Sequence, residues 1–122
     1  MLDGLITERD SNWALARINF PGGHLWLPDL DRPVGEPLRV RVFAKDVSVL
    51  LTEPSGTSIQ NHFQGVVESL KPDQHPAQLR VRLRCGDTSV LLARLTRKAV
   101  HDLSLEPGKT VWVQVKTAAV AT

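Results

Sequence analysis

The chain has 122 residues, 42% of them apolar and 23% charged, with 15 lysines and arginines against 13 aspartates and glutamates. That is one domain or two very small ones, with apolar material enough for a core and too small a charge excess for a broad footprint on DNA. A single cysteine, Cys85, excludes an internal disulfide and fits a reducing compartment; no run reaches the roughly 20 apolar residues of a membrane helix and no signal-peptide pattern opens the chain, so a cytoplasmic chain without direct membrane insertion is expected.

Leu5-Ile6-Thr7-Glu8 reads as a short strand, and Arg9-Asp10-Ser11-Asn12 as a turn of residues that bond their own backbone. Trp13 to Phe20 alternates, with Ala14, Ala16, Ile18 and Phe20 on one face, which is strand period. Pro21-Gly22-Gly23 turns the chain into His24-Leu25-Trp26-Leu27, completing a hairpin. Three prolines and a glycine make Pro28 to Pro37 a loop. Leu38 to Phe43 alternates strictly, Val47 to Leu51 follows, and Glu53-Pro54-Ser55-Gly56 breaks the chain. A polar run, Thr57-Ser58-Ile59-Gln60-Asn61, then leads into Phe63 and Gly65 to Leu70, which read as strand.

The second half repeats this order. Lys71 to Pro76 is a turn, Leu79 to Arg84 alternates, Cys85-Gly86-Asp87 turns, and Val90 to Ala93 returns. Thr96 reads as a helix N-cap, with Ala99, Val100 and Leu103 at helical spacing behind it, and Glu106-Pro107-Gly108-Lys109 ends that helix. Val111, Val113 and Val115 alternate in the last long strand. Gly4 aligns with Gly65, Gly23 with Gly86, Leu30 with Leu95 and Gly35 with Gly108; Leu38/Val111, Val40/Val113, Val42/Val115 and Val47/Val120 then match without gaps. The interval grows mainly between Leu95 and Gly108, where the second copy has its helix. Units of about 55–65 residues bury too little surface to stand comfortably alone, so packing together or exchanging strands is expected. The expected fold is all-β with one short helix: two tandem OB-like small barrels, 1–53 and 54–122, sharing strands.

Few side-chain patterns point to chemistry. Gly108-Lys109-Thr110 looks like the tail of a phosphate loop, but Leu103 stands where that loop needs its first glycine. His24, His62, His75 and His101 are scattered, and with one cysteine no spacing matches a metal cluster. Cys85 sits beside Gly86 at a turn with no base marked for it, so no catalytic motif is present. Arg80, Arg82 and Arg84 share one strand face, with Arg39 and Arg41 on the matching strand. Single-stranded nucleic acid binding wants aromatics among such cations; here none is interleaved, and a solvated charged face is the reading. The run from Thr57 to Asn61 and the segment Lys116-Thr117-Ala118 remain. On composition alone they are a polar loop and an exposed strand end. Hydroxyls, amides and backbone N–H groups ringed with one lysine also suit a small oxyanion.

At these residues the chain resembles a known family. Thr57 to Val67 resembles the Mop motif of molybdate-binding domains, which reads Ser-Ala-Arg-Asn and then, a few residues on, Gly-x-Val. Lys116-Thr117-Ala118-Ala119-Val120 resembles its closing Lys-Ala/Ser-x-x-Val. Arg39 to Val49 is similar to the preceding segment in the ATP-binding subunits of molybdate ABC importers, whose C-terminal extension is the TOBE or Mop domain. The resemblance implies a regulatory domain of such a subunit that is not itself catalytic, although its parent is a transport ATPase. That parent is peripheral on the cytoplasmic face of the bacterial inner membrane, with an ATPase core and permease subunits as partners. It also implies a homodimer holding molybdate or tungstate between chains, with Ser58, Gln60, Asn61, Lys116 and Thr117 as contacts. Gln60 stands where the family has arginine, Ile59 where it has alanine, and Phe43 of the first half where the second has Lys116. A free-standing molybdate-storage protein is the second reading, and an OB-type nucleic-acid binder a third.

Overall fold

Alternating β-branched and polar residues dictate strands almost throughout, and the computed structural model, which describes residues 1–121, contains ten. They are β1 (Leu2–Asp10), β2 (Leu15–Phe20), β3 (Gly23–Pro28), β4 (Pro37–Arg41), β5 (Val47–Leu50), β6 (Asn61–Pro72), β7 (Gln78–Cys85), β8 (Ser89–Thr96), β9 (Thr110–Val115) and β10 (Ala119–Val120). One helix, α1 (Arg97–Asp102), follows β8, and a 3-10 turn, Ala44–Asp46, precedes β5. The Thr96 hydroxyl accepts from the Ala99 N–H at 3.0 Å, which caps α1 as the sequence suggests. Among the described residues no helix is long and apolar enough to cross a membrane.

The strands form two sheets, ordered β10-β4-β1-β2-β3 and β5-β9-β6-β7-β8. The second repeats the first, β6 to β10 standing for β1 to β5. Gly4 pairs with Leu38 as Gly65 pairs with Val111. The ladder is bulged between Ile6 and Glu8, and again between Val67 and Ser69. Gly35 and Gly108 both take φ +96°, and each donates its N–H at 2.7 Å, to Ile6 and Val67 respectively.

The two halves exchange their last strands. β5, from the first half, pairs with β9 in the second sheet. β10, from the second half, pairs with β4 in the first. Each sheet is therefore completed by the other half, which meets the shortage of buried surface in so small a unit. Val40, Val113, Val115, Leu25, Val81 and Leu83 are 1% exposed or less at the centre of a core that runs through both sheets. Phe20 and Phe63 meet edge to face across the seam, with ring centroids 5.0 Å apart.

Several details differ from the sequence reading. β1 starts at Leu2 and runs on to Asp10, so the first turn falls at Ser11 to Ala14. There Asp10 Oδ1 accepts from the Asn12 and Trp13 N–H groups. Trp13 lies in that turn, 76% exposed, rather than on β2. Gly23 faces Phe20, and the matching position facing Cys85 is Ser89, not Gly86. The cause is the longer second turn, Gly86-Asp87-Thr88 against Pro21-Gly22. Val120 faces Val40 as Val49 faces Val113, so Val49, not Val47, is its counterpart. The first crossover, which contains the 3-10 turn, is the longer of the two. β4 corresponds to β9 and not to β7, and it lies in the first sheet while β7 lies in the second, so Arg39 and Arg41 are apart from Arg80, Arg82 and Arg84.

Candidate functional site

The two segments singled out from the sequence leave the β6–β9 ladder at the same end. Asn61 faces Val115 in the last pair, so Gln60 and Lys116 lie one step beyond it. Their backbones are anchored there. Lys116 donates its N–H to the Asp46 carbonyl at 2.9 Å. The Thr57 hydroxyl accepts from the Ile59 N–H at 3.1 Å, closing a local turn. Gln114 is 7% exposed, donates to the Ile59 carbonyl at 3.4 Å and accepts from the Ser48 hydroxyl at 3.2 Å.

Asn61 has a structural task. Its Oδ1 accepts from the Trp26 N–H at 2.8 Å and its Nδ2 donates to the Trp26 carbonyl at 2.9 Å. The side chain thereby acts as a one-residue strand on the free edge of β3 and ties the two sheets together. One amide hydrogen is left over. Ser58, Gln60, Lys116 and Thr117 are all exposed. Among the described residues, none of their side chains appears in a hydrogen bond or an ion pair. The two segments thus leave the same end of the β6–β9 ladder, with the polar groups of Ser58, Gln60, Lys116 and Thr117 unengaged and Asn61 mostly committed. Ammonium, hydroxyls and primary amides are all donors suited to an oxyanion.

Beside this edge is a depression of about 330 Å³, with Thr57 and Gln114 in its wall together with Leu50 and Glu53. The Glu53 carboxylate opposes an anion there, so the depression itself is not a seat for one. His62 stands close by, its Nε2 3.9 Å from Glu53 and its ring edge-on to Trp112. Nothing in the sequence pattern marks Gln114 or Trp26 as part of this region. Gln114 occupies an outward position by alternation and is buried because the 57–60 segment and β5 cover it. Trp26 takes part only through its backbone.

The remaining titratable groups carry no chemistry of this kind. Cys85 is fully buried, and burial pushes its thiol up to about 11. The native protein should therefore resist thiol reagents at neutral pH and react once unfolded; stoichiometric labelling of the native chain by a chromogenic disulfide would contradict this. His24 is pushed below its ordinary pKa by burial first, and then by the charges of Arg17 and His62. The folded state thus disfavours the proton relative to the unfolded chain. The contribution of His24 to stability is present above its unfolded pKa of about 6.5 and is lost as pH falls through the lower folded value. Thermal melts between neutral pH and about pH 5 should show the midpoint falling, and His24→Gln should flatten part of that fall.

The TOBE domain profile matches residues 57–122. This chain belongs to the TOBE domain family. The resemblance read from Thr57–Val67 and Lys116–Val120 is borne out. This TOBE chain is 45% identical over 120 residues to the molybdenum import ATP-binding protein ModC of Methylococcus capsulatus, with 98% of this chain and 33% of that protein covered. It is 46% identical over 120 residues to ModC of Thiobacillus denitrificans, with the same coverage of 98% and 33%. The chain thus spans about a third of the length of these curated relatives. Among solved structures it is similar to the cytoplasmic molybdate-binding protein ModG in a molybdate-bound crystal form. The TM-score is 0.78 at 18% identity, covering 98% of this chain and 94% of ModG. At that identity the likeness concerns the fold, and it bears out the paired OB-like barrels with one short helix.

Proposed function

We propose that this TOBE chain is a regulatory domain that binds molybdate or tungstate for the ATP-binding subunit of a molybdate ABC importer. The observation that carries the reading is the Asn61–Val115 register. It supports the reading because the segments that carry Ser58, Gln60, Lys116 and Thr117 leave the ladder at the same end, where Asn61 and Gln114 hold the backbone. The similarity to ModC proteins over nearly the whole chain supports the importer assignment. The parent would supply the ATPase core and the permease contacts, and this chain the anion-responsive part. The donor set fits a tetrahedral dianion but is open to solvent on one side, and a second copy of the chain would close it. Homodimerisation is therefore part of the proposal.

A free-standing molybdate-binding protein is the second reading, because the likeness to ModG spans nearly all of both chains. An ATP-binding core encoded in frame upstream of Met1 would decide for the importer. Equilibrium dialysis against molybdate, with metal analysis, tests the binding itself. The expected result is retention of molybdate by the parent and stronger retention by Gln60→Arg, which restores a planar, bidentate cation at the edge. No retention by either protein would refute the proposal.

A further inference from the structure

The outer face of β6, β7 and β8 carries a row of cations that the fold itself does not require. Lys71 stands directly opposite Arg80, and Arg80 directly opposite Arg94. Such pairs have Cβ atoms about 5 Å apart, and like charges there are destabilising. One pair along, Arg82 faces Ser69 and Leu92; beyond it Arg84 faces Val66 and Val90. The β7 arginines point away from the core because Val81, Leu83 and Cys85 fill the inward positions.

Two acids reach this face. Glu68 lies 3.1 Å from Arg82 and 3.9 Å from Arg84. Asp73 lies 2.9 Å from Arg94 and borders a depression shared with Arg80, whose charge it also feels without pairing to it. Among the described residues neither Lys71 nor Arg80 is ion-paired. These two cations, with Ser69, Arg82 and Leu92, line a depression of about 210 Å³. Leu92 is 42% exposed within it. No aromatic ring stands on β7 or β8 to stack a base.

We propose that this face docks an acidic protein segment, one with carboxylates flanking an apolar side chain. The carboxylates pair with Lys71 and Arg80, and the apolar side chain covers Leu92. The Arg80 guanidinium can take a carboxylate with two parallel hydrogen bonds. An anionic partner also relieves the repulsion built into the row. The pairs lie at the surface, so docking is salt-sensitive.

Fluorescence anisotropy tests this with a fluorescein-labelled acidic peptide, glutamates around a central leucine, against the whole chain. A single-stranded oligothymidylate of equal charge and inorganic phosphate serve as the other arms. Saturable peptide binding at low salt is expected. Arg80→Glu should weaken it about tenfold or more, Lys71→Glu should weaken it similarly, and Arg39→Glu in the other sheet should leave it unchanged. Arg80→Gln, which removes the like charge from between Lys71 and Arg94 without setting a second carboxylate against Asp73, should also melt close to the parent. No saturable peptide binding, binding by Arg80→Glu and Lys71→Glu as tight as the parent's, tighter binding of the oligonucleotide, or displacement of the peptide by phosphate at low concentration would each overturn the proposal.

Discussion

Gly22→Ala is expected to destabilise the fold by about 3 kcal/mol or more. Two independent constraints meet at this glycine. Its φ is +115°, in the region that side chains rarely enter. A Cβ there would also overlap the Cys85 carbonyl and come within 2.9 Å of the Gly86 N. Those are backbone atoms of the opposite hairpin turn, so no flexible side chain can yield. The approach is reciprocal, since a Cβ on Gly86 would lie 2.7 Å from the Gly22 Cα. The Ser89 hydroxyl further locks the seam by donating to the Pro21 carbonyl. Gly56 is the control. Its φ is +64° but nothing lies within 4 Å of a Cβ built on it, so Gly56→Ala carries only the dihedral strain, about 1 kcal/mol. Urea denaturation of both variants checks the difference. Equal losses would mean that the two turns do not bear on one another.

Much of this architecture was legible because period and punctuation were clear. β7 alternates without a fault, β9 carries valine at every second position, and Thr96 announces α1. The sequence reading begins the first strand at Leu5, whereas β1 starts at Leu2. Gly4 lies inside β1, at a position where a Cβ would meet the Ile18 methyl at 2.5 Å. Strand exchange could be anticipated from the size of each half, yet the partners of β5 and β10 could not. Period tells which face a residue takes and not which strand it pairs with. The same limit applies at the candidate site. The sequence picked out Asn61 as a polar group next to a strand, without revealing that its amide is turned to the Trp26 backbone. Gln114 was invisible, because its burial depends on a segment far away in the chain.

Lys116→Ala is expected to abolish measurable molybdate binding. A tetrahedral dianion gives up strong hydration on entering a site, so each oxygen must find donors there. Ser58, Gln60 and Thr117 offer neutral ones, and Asn61 has one amide hydrogen remaining after its two bonds to Trp26. Hydrogen bonds to a charged partner contribute about 1.5–3 kcal/mol each. Neutral donors on an open edge do not offset the loss of hydration without a countercharge. Within residues 57–61 and 116–118 the sequence provides one cation, Lys116. Its side chain is exposed and its backbone is fixed by Asp46, so the substitution should remove the charge and leave the fold. Titration calorimetry of the parent and of Lys116→Ala with molybdate, alongside their thermal melts, tests this most directly. The prediction is a saturable heat for the parent, poorly competed by sulfate, and none for the variant at an unchanged melting temperature; a variant that binds molybdate as the parent does would show that the anion is not held at this edge.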